Sequence, residues 1–157
     1  VPLADSVGAL ADLRREGKLR WIGLSNVSVA EIAEVCAVTP VVTVQNRLNP
    51  FFREAIETGV VAHCAARGIG FLAYSPVGGG RLNRKLPGMT ALRPIAEAHR
   101  VSAHAVVLAW VLAQGPTVFI IPGARTVEHA VDAAGAANVV LSAGDIAALD
   151  AAEFSRA

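Results

Sequence analysis

Four short polar segments each follow an apolar segment of the kind that forms a buried strand. They are Ser25-Asn26, Gln45-Asn46, Tyr74-Ser75-Pro76 with the glycines at 78–80, and Pro122-Gly123-Ala124-Arg125. Serine, asparagine and glutamine side chains suit a primary amide, and a tyrosine offers a flat face to a ring. Successive glycines let backbone N–H groups approach a phosphate, and an arginine at a helix start adds a second phosphate-binding group. Together these groups match the parts of a nicotinamide dinucleotide.

Each segment also has a simpler interpretation. Ser25-Asn26 could be only a turn before a helix that starts at Ser28, and Gln45 could bond a neighbouring loop. Tyr74 could be a rim aromatic, the glycine run a flexible loop, and Arg125 an ordinary helix-start residue. The dinucleotide interpretation is favoured because the carboxyl ends of parallel strands lie at one rim, where α/β proteins place their chemistry.

The hydrophobic pattern alternates strands and helices along the whole chain. Strands are predicted at 19–24, 41–45, 69–74 and 118–121, and helices at 5–16, 28–36, 53–67, 91–100, 102–114, 126–134 and 142–152. Continuous apolar strands between helices indicate a parallel sheet covered by helices. The predicted fold class is therefore α/β: a partial (β/α)₈ TIM barrel of about four parallel strand–helix units plus extra C-terminal helices.

This half-barrel would be incomplete by itself. A full barrel takes about 250 residues, whereas this chain has 157, which we interpret as a single domain, 1–157, truncated at its N-terminus. Four parallel strands alone would leave two open sheet edges and one uncovered face. We therefore also predict self-association through the open half-barrel.

The composition argues against several classes of partner and site. Hydrophobic residues make up 54% of the chain and charged residues 17%, with a net charge of +1, so neither nucleic acid nor an anionic membrane is an expected partner. The longest apolar helix pattern, 103–113, is shorter than the roughly 20 residues a bilayer requires. Cys36 and Cys64 stand alone in helical patterns, which favours core thiols of a cytoplasmic protein and no metal site.

Five segments carry a resemblance to a known family. They are EGKLRWIGLSN at 16–26, VQNRLNPF at 44–51, GIGFLAYSPVGGGRL at 68–82, IPGARTVEH at 121–129 and, more weakly, LSAGDIAALD at 141–150. In this order, and over nearly the whole chain, they resemble the C-terminal half of the aldo-keto reductases. The resemblance implies a (β/α)₈ barrel that binds NADP(H) without the glycine fingerprint of a Rossmann domain.

The resemblance also implies cofactor-binding residues at all four strand ends. Contacts to the nicotinamide carboxamide and ring are implied for Ser25, Asn26, Gln45 and Tyr74. Contacts to the diphosphate are implied for Ser75, Pro76, Val77 and Gly79, with Arg81 nearby. Contacts to the adenosine part, including the 2′-phosphate that distinguishes NADPH from NADH, are implied for Gly123, Arg125, His129 and Asp132.

Two positions depart from the family pattern near the adenosine part. Ala133 stands where the family usually has an asparagine, and its methyl group cannot hydrogen-bond to adenine. His129 stands where glutamine or arginine is commoner. Each neutral hydrogen bond lost would weaken cofactor binding by about 1 kcal/mol.

No catalytic residue is assigned to this chain. The family reduces small carbonyl substrates with an Asp, Tyr, Lys and His tetrad that lies in its first four strand–helix units, which this chain lacks. Tyr74 is the only tyrosine, and His63, His99, His104 and His129 lie in helical patterns that favour structural roles. The chain alone is therefore predicted to be inactive.

Other interpretations remain open from the sequence. The chain could be a non-enzymatic half-barrel module that dimerises or pairs with another chain, or a decayed, unstable gene product. A flavin-dependent barrel is a weaker alternative, because Arg125 at a helix start suits any phosphate. A nucleic-acid role would depend on Arg81, Arg84 and Lys85 alone.

Overall fold

The computed structural model describes residues 2–155; residues 1, 156 and 157 of the predicted domain lie outside this range. Four strands form a sheet: β1 (Gly23–Ser25), β2 (Thr43–Arg47), β3 (Gly70–Tyr74) and β4 (Val118–Ile121). The α-helices are α1 (Leu3–Arg15), α2 (Val29–Cys36), α3 (Glu54–Glu57), α4 (Val60–Arg67), α5 (Gly79–Leu82), α6 (Arg93–His99), α7 (Ala103–Leu112), α8 (Val127–Gly135) and α9 (Ala143–Ala151). Two 3₁₀ helices, Asn83–Gly88 and Ala136–Asn138, complete the described elements.

The sheet has the topology of consecutive strand–helix units. All three strand pairs are parallel, and the strand order β1-β2-β3-β4 follows the chain order. Short parallel crossovers of this kind place each connecting helix against the sheet. The predicted partial barrel of parallel strands is therefore confirmed.

The two faces of the sheet differ in their environment. Val44, Phe71 and Ala73 point to the helix-covered face and are 0% exposed, in one core with residues of α2, α4 and α7. The opposite face, here called the open face, carries Gln45, Leu72 and Phe119 in register across β2, β3 and β4. Phe119 is 58% exposed. The described residues thus cover one face of the sheet and leave the other open.

Helix α7 lies deep within the helix layer. Seven consecutive residues, Ala105 to Val111, are buried, so the helix has no polar face. A helix that is apolar on all sides is stable only when it is surrounded. Contacts from α6, α8, β4 and both 3₁₀ helices provide that environment.

Helix α9 is held by a set of contacts that we call the α9 clamp. Two guanidinium nitrogens of Arg53 donate to the main-chain carbonyls of Leu149 and Asp150, each at 2.8 Å. These carbonyls lie in the last turn of α9, where no intrahelical donor remains. Trp110 Nε1 donates to Asp150 Oδ1 at 2.9 Å, and the Arg53 guanidinium lies 5.1 Å from the Trp110 ring. The clamp therefore ties α9 to both α7 and the segment before α3.

Helix starts agree with the capping patterns in the sequence. Ser28 with Glu31, and Ser142 with Asp145, both form reciprocal capping boxes at α2 and α9. Thr126 and Ser102 cap α8 and α7 through single side-chain bonds. These side chains satisfy N–H groups that the first helical turn leaves without partners.

Several predicted elements were wrong in extent, and the strand predicted at 41–45 is β2 at Thr43–Arg47. The single helix predicted at 53–67 is two helices, because Gly59 adopts a left-handed conformation with φ 77° between α3 and α4. The strand predicted at 19–24 begins only at Gly23, since β1 pairs on one side alone and Trp21 is 67% exposed. The predicted glycine loop contains the short helix α5 and a 3₁₀ helix. Strand β4 has the predicted bounds.

A pH-dependent contact holds the start of α9 against α6. His99 Nε2 donates to Asp145 Oδ2 at 3.0 Å. This bond, followed by those from the Ser142 hydroxyl and N–H, holds the pKa of Asp145 below its ordinary value of 3.8. A carboxylate with a lowered pKa contributes stability above its ordinary pKa and loses it as the pH falls.

We expect Asp145→Asn to reduce the free energy of unfolding at about pH 5 and to have a smaller effect at about pH 3. Below the ordinary pKa of 3.8 the Asp145 carboxyl of the unfolded wild-type chain becomes protonated, so the charge that the substitution removes contributes less to stability. Urea denaturation of both proteins at the two pH values measures the difference. An equal difference at both values would show that the Asp145 charge does not stabilise the fold.

The described residues also bear on membranes, metals and thiols. No single helix within 2–155 is long and apolar enough to cross a membrane; α6 and α7 reach that length only together, and they are bent by 89°. Within the same range no three His, Cys, Asp or Glu residues are grouped as metal ligands would be. Burial raises the pKa of the Cys64 thiol to about 11, which keeps it protonated and unreactive.

Candidate functional site

The ends of β1 and β2 bring together the three residues predicted to meet a carboxamide. Ser25 and Gln45 are register partners in the sheet. The Asn26 N–H donates to the Gln45 carbonyl at 3.0 Å, and Asn26 Nδ2 donates to Ser25 Oγ at 3.3 Å. Ser25 and Asn26 are exposed and Gln45 is half-buried. Neutral donors and acceptors therefore meet at one point of the rim.

Two residues directly after strands have unusual backbone conformations. Asn26 follows β1 with φ 53°, and Ser75 follows β3 with φ 49°. Residues other than glycine rarely adopt positive φ, and such residues concentrate at functional sites. Both of these residues are among those predicted to bind a cofactor.

Asn49 fixes the strained turn at Ser75. It is 0% exposed, donates to the Ser75 carbonyl at 2.8 Å and accepts from the Phe51 N–H at 2.9 Å. The Gly78 N–H donates to the same Ser75 carbonyl at 2.8 Å. Asn49 was not predicted as a site residue, because no local pattern separates it from an ordinary turn asparagine.

Tyr74 has a neighbour that the sequence analysis missed. Arg47, its register partner on β2, places its guanidinium carbon 5.4 Å from the Tyr74 ring centroid and 4.5 Å from that of Phe52. A cation at this distance is attracted to the electron-rich face of a ring. Asn26 and Tyr74 also line one cavity of about 570 Å³, together with Arg47. Arg47 therefore belongs to the surroundings of any ring that stacks on Tyr74.

A larger cavity lies between the ends of β3 and β4, and we call it the glycine-loop cavity. It has a volume of about 770 Å³. The residues predicted to meet the diphosphate and adenosine line it: Ser75, Pro76, Val77, Gly79, Gly123, Arg125 and His129. Asn83, Arg84 and His104 line it as well and were not predicted. Arg81 is exposed on α5 and is not among its lining residues.

The lining of the glycine-loop cavity favours an anion. Arg84 and Arg125 contribute positive charge from two different segments, and none of the described residues that line the cavity is an Asp or Glu. Gly78 and Gly79 adopt left-handed conformations, with φ 88° and 76°, which turn the backbone sharply after β3. Backbone amides in such turns, together with guanidinium groups, are the usual ligands of phosphate.

Gly78 cannot carry a side chain in this structure. A Cβ added there would lie 2.8 Å from the Leu82 Cβ and 3.1 Å from the Phe51 ring. We expect Gly78→Ala to lower the free energy of unfolding by about 2 kcal/mol, because it adds both a crowded methyl group and backbone strain. Urea denaturation measures the change. Gly80→Ala is the matched control, since an added Cβ there has no neighbour within 4 Å, and an equal loss in both variants would contradict this account.

A small cavity of about 140 Å³ adjoins the glycine-loop cavity, and the lining residues common to both are Val77, Asn83, His104, Gly123 and His129. Asp132 and Ala133 of α8 contribute to its wall. Asp132 Oδ2 accepts from Ser102 Oγ at 2.7 Å, so the carboxylate is held at the start of α7. Asp132 therefore lies beside the larger cavity rather than in it.

Comparisons with known proteins show the family and the fold of this chain. The aldo/keto reductase family model matches residues 1–153. The chain is 30% identical to aldo-keto reductase str7 of Strobilurus tenacellus and 34% identical to methylglyoxal reductase YeaE of Escherichia coli, in each case over 94% of this chain and 53% of the relative. It superposes with a TM-score of 0.82 and 31% identity on an aldo-keto reductase from Klebsiella pneumoniae solved in complex with NADPH, covering 96% of this chain and 54% of that one.

The chain belongs to the aldo/keto reductase family. It spans about half the length of the relatives and solved structures that it matches. Its sheet and helices correspond to part of their barrel, as the resemblance predicted.

Proposed function

We propose that this chain is the NADP(H)-binding portion of an aldo-keto reductase whose complete barrel reduces small carbonyl compounds or oxidises the corresponding alcohols. The observation that carries the proposal is the glycine-loop cavity, which joins Arg84 and Arg125 to a turn of left-handed glycines and contains no carboxylate among its described lining residues. The complex of the Klebsiella pneumoniae relative with NADPH supports it.

The residues at the rim fit the parts of the cofactor in order. Ser25, Asn26 and Gln45 would hold the carboxamide, and Tyr74 would support the nicotinamide ring. Ser75, Pro76, Val77 and Gly79 would contact the diphosphate, with Arg81 nearby. Gly123 and Arg125 would meet the 2′-phosphate, and His129 and Asp132 the rest of the adenosine. When bound, the cofactor supplies a hydride, while these residues hold and orient it.

Carbonyl reduction also needs a proton donor, and we assign none to this chain. Tyr74 is its only tyrosine, and Arg47 lies against the ring. We propose that the donor belongs to the part of the family barrel that this chain does not span. That part would cover the open face and pair with the free edges of β1 and β4.

Isothermal titration of the purified chain with NADPH and with NADH tests the proposal. We expect saturable binding of both, with NADPH bound at least tenfold more tightly, because a phosphate–arginine contact is worth about 1.5–3 kcal/mol. A parallel assay with NADPH and a small aldehyde is expected to show no turnover by the chain alone. Absence of NADPH binding would refute the cofactor role, and turnover would refute the assignment of the proton donor elsewhere.

Self-association is a second candidate function, and the open face favours it. Phe119 and Ile121 are 58% and 43% exposed there. β1 and β4 are the two free edges of a wholly parallel sheet, so β4 of one copy can pair in parallel with β1 of another. Two such β4–β1 pairings would join the four strands of each copy into one closed sheet of eight strands.

Size-exclusion chromatography with light scattering at several concentrations measures this association. We expect a dimer for the chain and a shift to monomer for Phe119→Lys, which places a charge on the open face. Val140→Lys is the control, because Val140 is 84% exposed and lies outside the sheet. A monomer at every concentration would refute the dimer.

A further inference from the structure

Arg47 is a cation held by two aromatic rings rather than by a carboxylate. Its guanidinium carbon lies over the Phe52 ring, 4.5 Å from the centroid, and over the Tyr74 ring, 5.4 Å from the centroid. No ion pair among residues 2–155 includes Arg47. Aromatic faces attract a guanidinium without neutralising it. Arg47 therefore keeps its full positive charge at this point of the rim.

The register of the sheet fixes the position of this charge relative to the proposed nicotinamide site. Arg47 and Tyr74 are paired residues at the carboxyl ends of β2 and β3. Successive side chains of a strand point to opposite faces, so Arg47 lies on the same face as Gln45, two residues before it. The guanidinium thus lies beside the side chains proposed to hold the carboxamide and the nicotinamide ring.

The contact with Tyr74 determines which face of that ring is available. Because the guanidinium lies over one face, a nicotinamide ring can stack only on the other. Stacked rings have centroids at least about 4.5 Å apart, so the guanidinium and the nicotinamide would be roughly 10 Å apart. Two charges at this distance interact measurably at the partly buried surface of a protein. Arg47 therefore acts on the nicotinamide through its charge, without touching it.

The two oxidation states of the cofactor differ in the charge of this one ring. The nicotinamide of NADP⁺ is a cation, whereas the dihydronicotinamide of NADPH is neutral. The phosphates and the carboxamide are the same in both, so contacts from Arg84 and Arg125 affect both states nearly equally. A positive charge near the nicotinamide disfavours its cationic form alone.

Two carboxylates, Glu31 and Glu54, line the same cavity as Arg47. Glu31 Oε2 accepts from the Ser28 N–H at 2.8 Å and from the Ser28 hydroxyl at 2.7 Å, so it is held at the start of α2. Neither carboxylate forms one of the ion pairs of residues 2–155 with Arg47. The charge that lies over the Tyr74 ring is that of Arg47.

We propose that Arg47 makes this site prefer NADPH to NADP⁺, by placing a positive charge behind the ring on which the nicotinamide stacks. The inference rests on the proposed function and deepens it. The repulsion raises the dissociation constant of NADP⁺ and leaves that of NADPH nearly unchanged. In the complete barrel, such a preference favours release of the oxidised cofactor after carbonyl reduction.

Isothermal titration of the purified chain with NADPH and with NADP⁺ tests the inference. We expect the ratio of the NADP⁺ to the NADPH dissociation constant to fall about fivefold in Arg47→Met, the effect of one unit charge at roughly 10 Å. Arg47→Lys, which keeps the charge, is expected to keep most of the wild-type ratio. Arg93→Met removes an exposed charge from α6 and is the matched control, expected to leave the ratio unchanged.

A salt series on the wild-type chain is a second test that needs no variant. The distance over which charges interact falls from about 10 Å at 0.1 M ionic strength to about 3 Å at 1 M. The wild-type ratio is therefore expected to fall toward that of Arg47→Met as salt is added. Contacts with the phosphates weaken for both cofactors alike and do not change the ratio.

Four outcomes would contradict these expectations. A ratio that is unchanged in Arg47→Met, or that does not depend on salt, would overturn the inference and leave the proposed function intact. Equal weakening of both cofactors in Arg47→Met would do the same, because it would show a structural role alone. An equal fall of the ratio in Arg47→Lys and Arg47→Met would show that the charge is not the cause. Failure of the wild type to bind either cofactor would refute the proposed function as well.

Discussion

Replacing Arg53 with methionine is expected to lower the free energy of unfolding by about 3 kcal/mol, because it removes charge-assisted hydrogen bonds to carbonyls that have no other donor. Arg53 donates to Leu149 and Asp150 at the end of α9, and to Pro50 at 3.1 Å. Methionine keeps an apolar stem of similar length beside Trp110. The decrease in the free energy of unfolding therefore measures the lost hydrogen bonds rather than the effect of a new cavity.

Urea denaturation measures this change, and hydrogen exchange shows where it acts. We expect the amide exchange rate of α9 to increase more than that of any other described helix, because the clamp holds α9 in particular. Arg93→Met is the control: Arg93 forms an exposed pair with Glu97 on the surface of α6, so its replacement is expected to change stability by less than about 0.5 kcal/mol. Equal losses in the two variants would show that the clamp contributes nothing specific.

Replacing Arg125 with alanine is expected to weaken NADPH binding by about 10- to 100-fold and to leave NADH binding nearly unchanged. The expectation depends on the proposed contact with the 2′-phosphate, which NADH lacks. Arg125 is exposed at the mouth of the glycine-loop cavity, just before the Thr126 cap of α8. The guanidinium, the helix dipole and the amides would act on the same anion.

Titration of each variant with both cofactors separates this role from a general effect of charge. Arg84→Ala is the comparison, because Arg84 lines the same cavity on the glycine-loop side and is expected to weaken NADPH and NADH to a similar extent. If Arg125→Ala weakened the binding of NADPH and NADH equally, the 2′-phosphate would have to bind elsewhere.

Local patterns predicted the sheet and its helices well where a single element decides its own structure. The capping pairs at Ser28 and Ser142 marked two helix starts, and Gly68 ended α4 in the left-handed conformation. Gly59 also lay in the sequence, yet an isolated glycine within a helical pattern is tolerated often enough that the break was not predicted. The start of β1 depended on a partner strand, which no local pattern contains.

The residues of the candidate site also divide into those that local patterns predicted and those that they did not. Motif positions such as Ser75 and Arg125 could be placed at the rim from the strand ends alone. Arg47, Asn49 and His104 could not, because each acquires its place through a residue distant in sequence: Tyr74, Ser75 and Asn83 respectively. The α9 clamp joins Arg53 to carbonyls that are even more distant in sequence, 96 and 97 residues away.

The position of the α9 clamp near the end of the sequence also determines when the contacts of α7 can form during synthesis on the ribosome. Helix α7, with no polar face, is synthesised before α9, and the α9 side of Trp110 receives its cover only when Asp150 has been made. The edge-to-face contact of Phe51 with Phe154, with ring centroids 5.4 Å apart, can form only after Phe154 has been synthesised. Apolar surface left bare during synthesis is what chaperones bind and what aggregates form from. From the time α7 emerges until α9 docks, a nascent chain therefore exposes apolar surface that the folded protein buries.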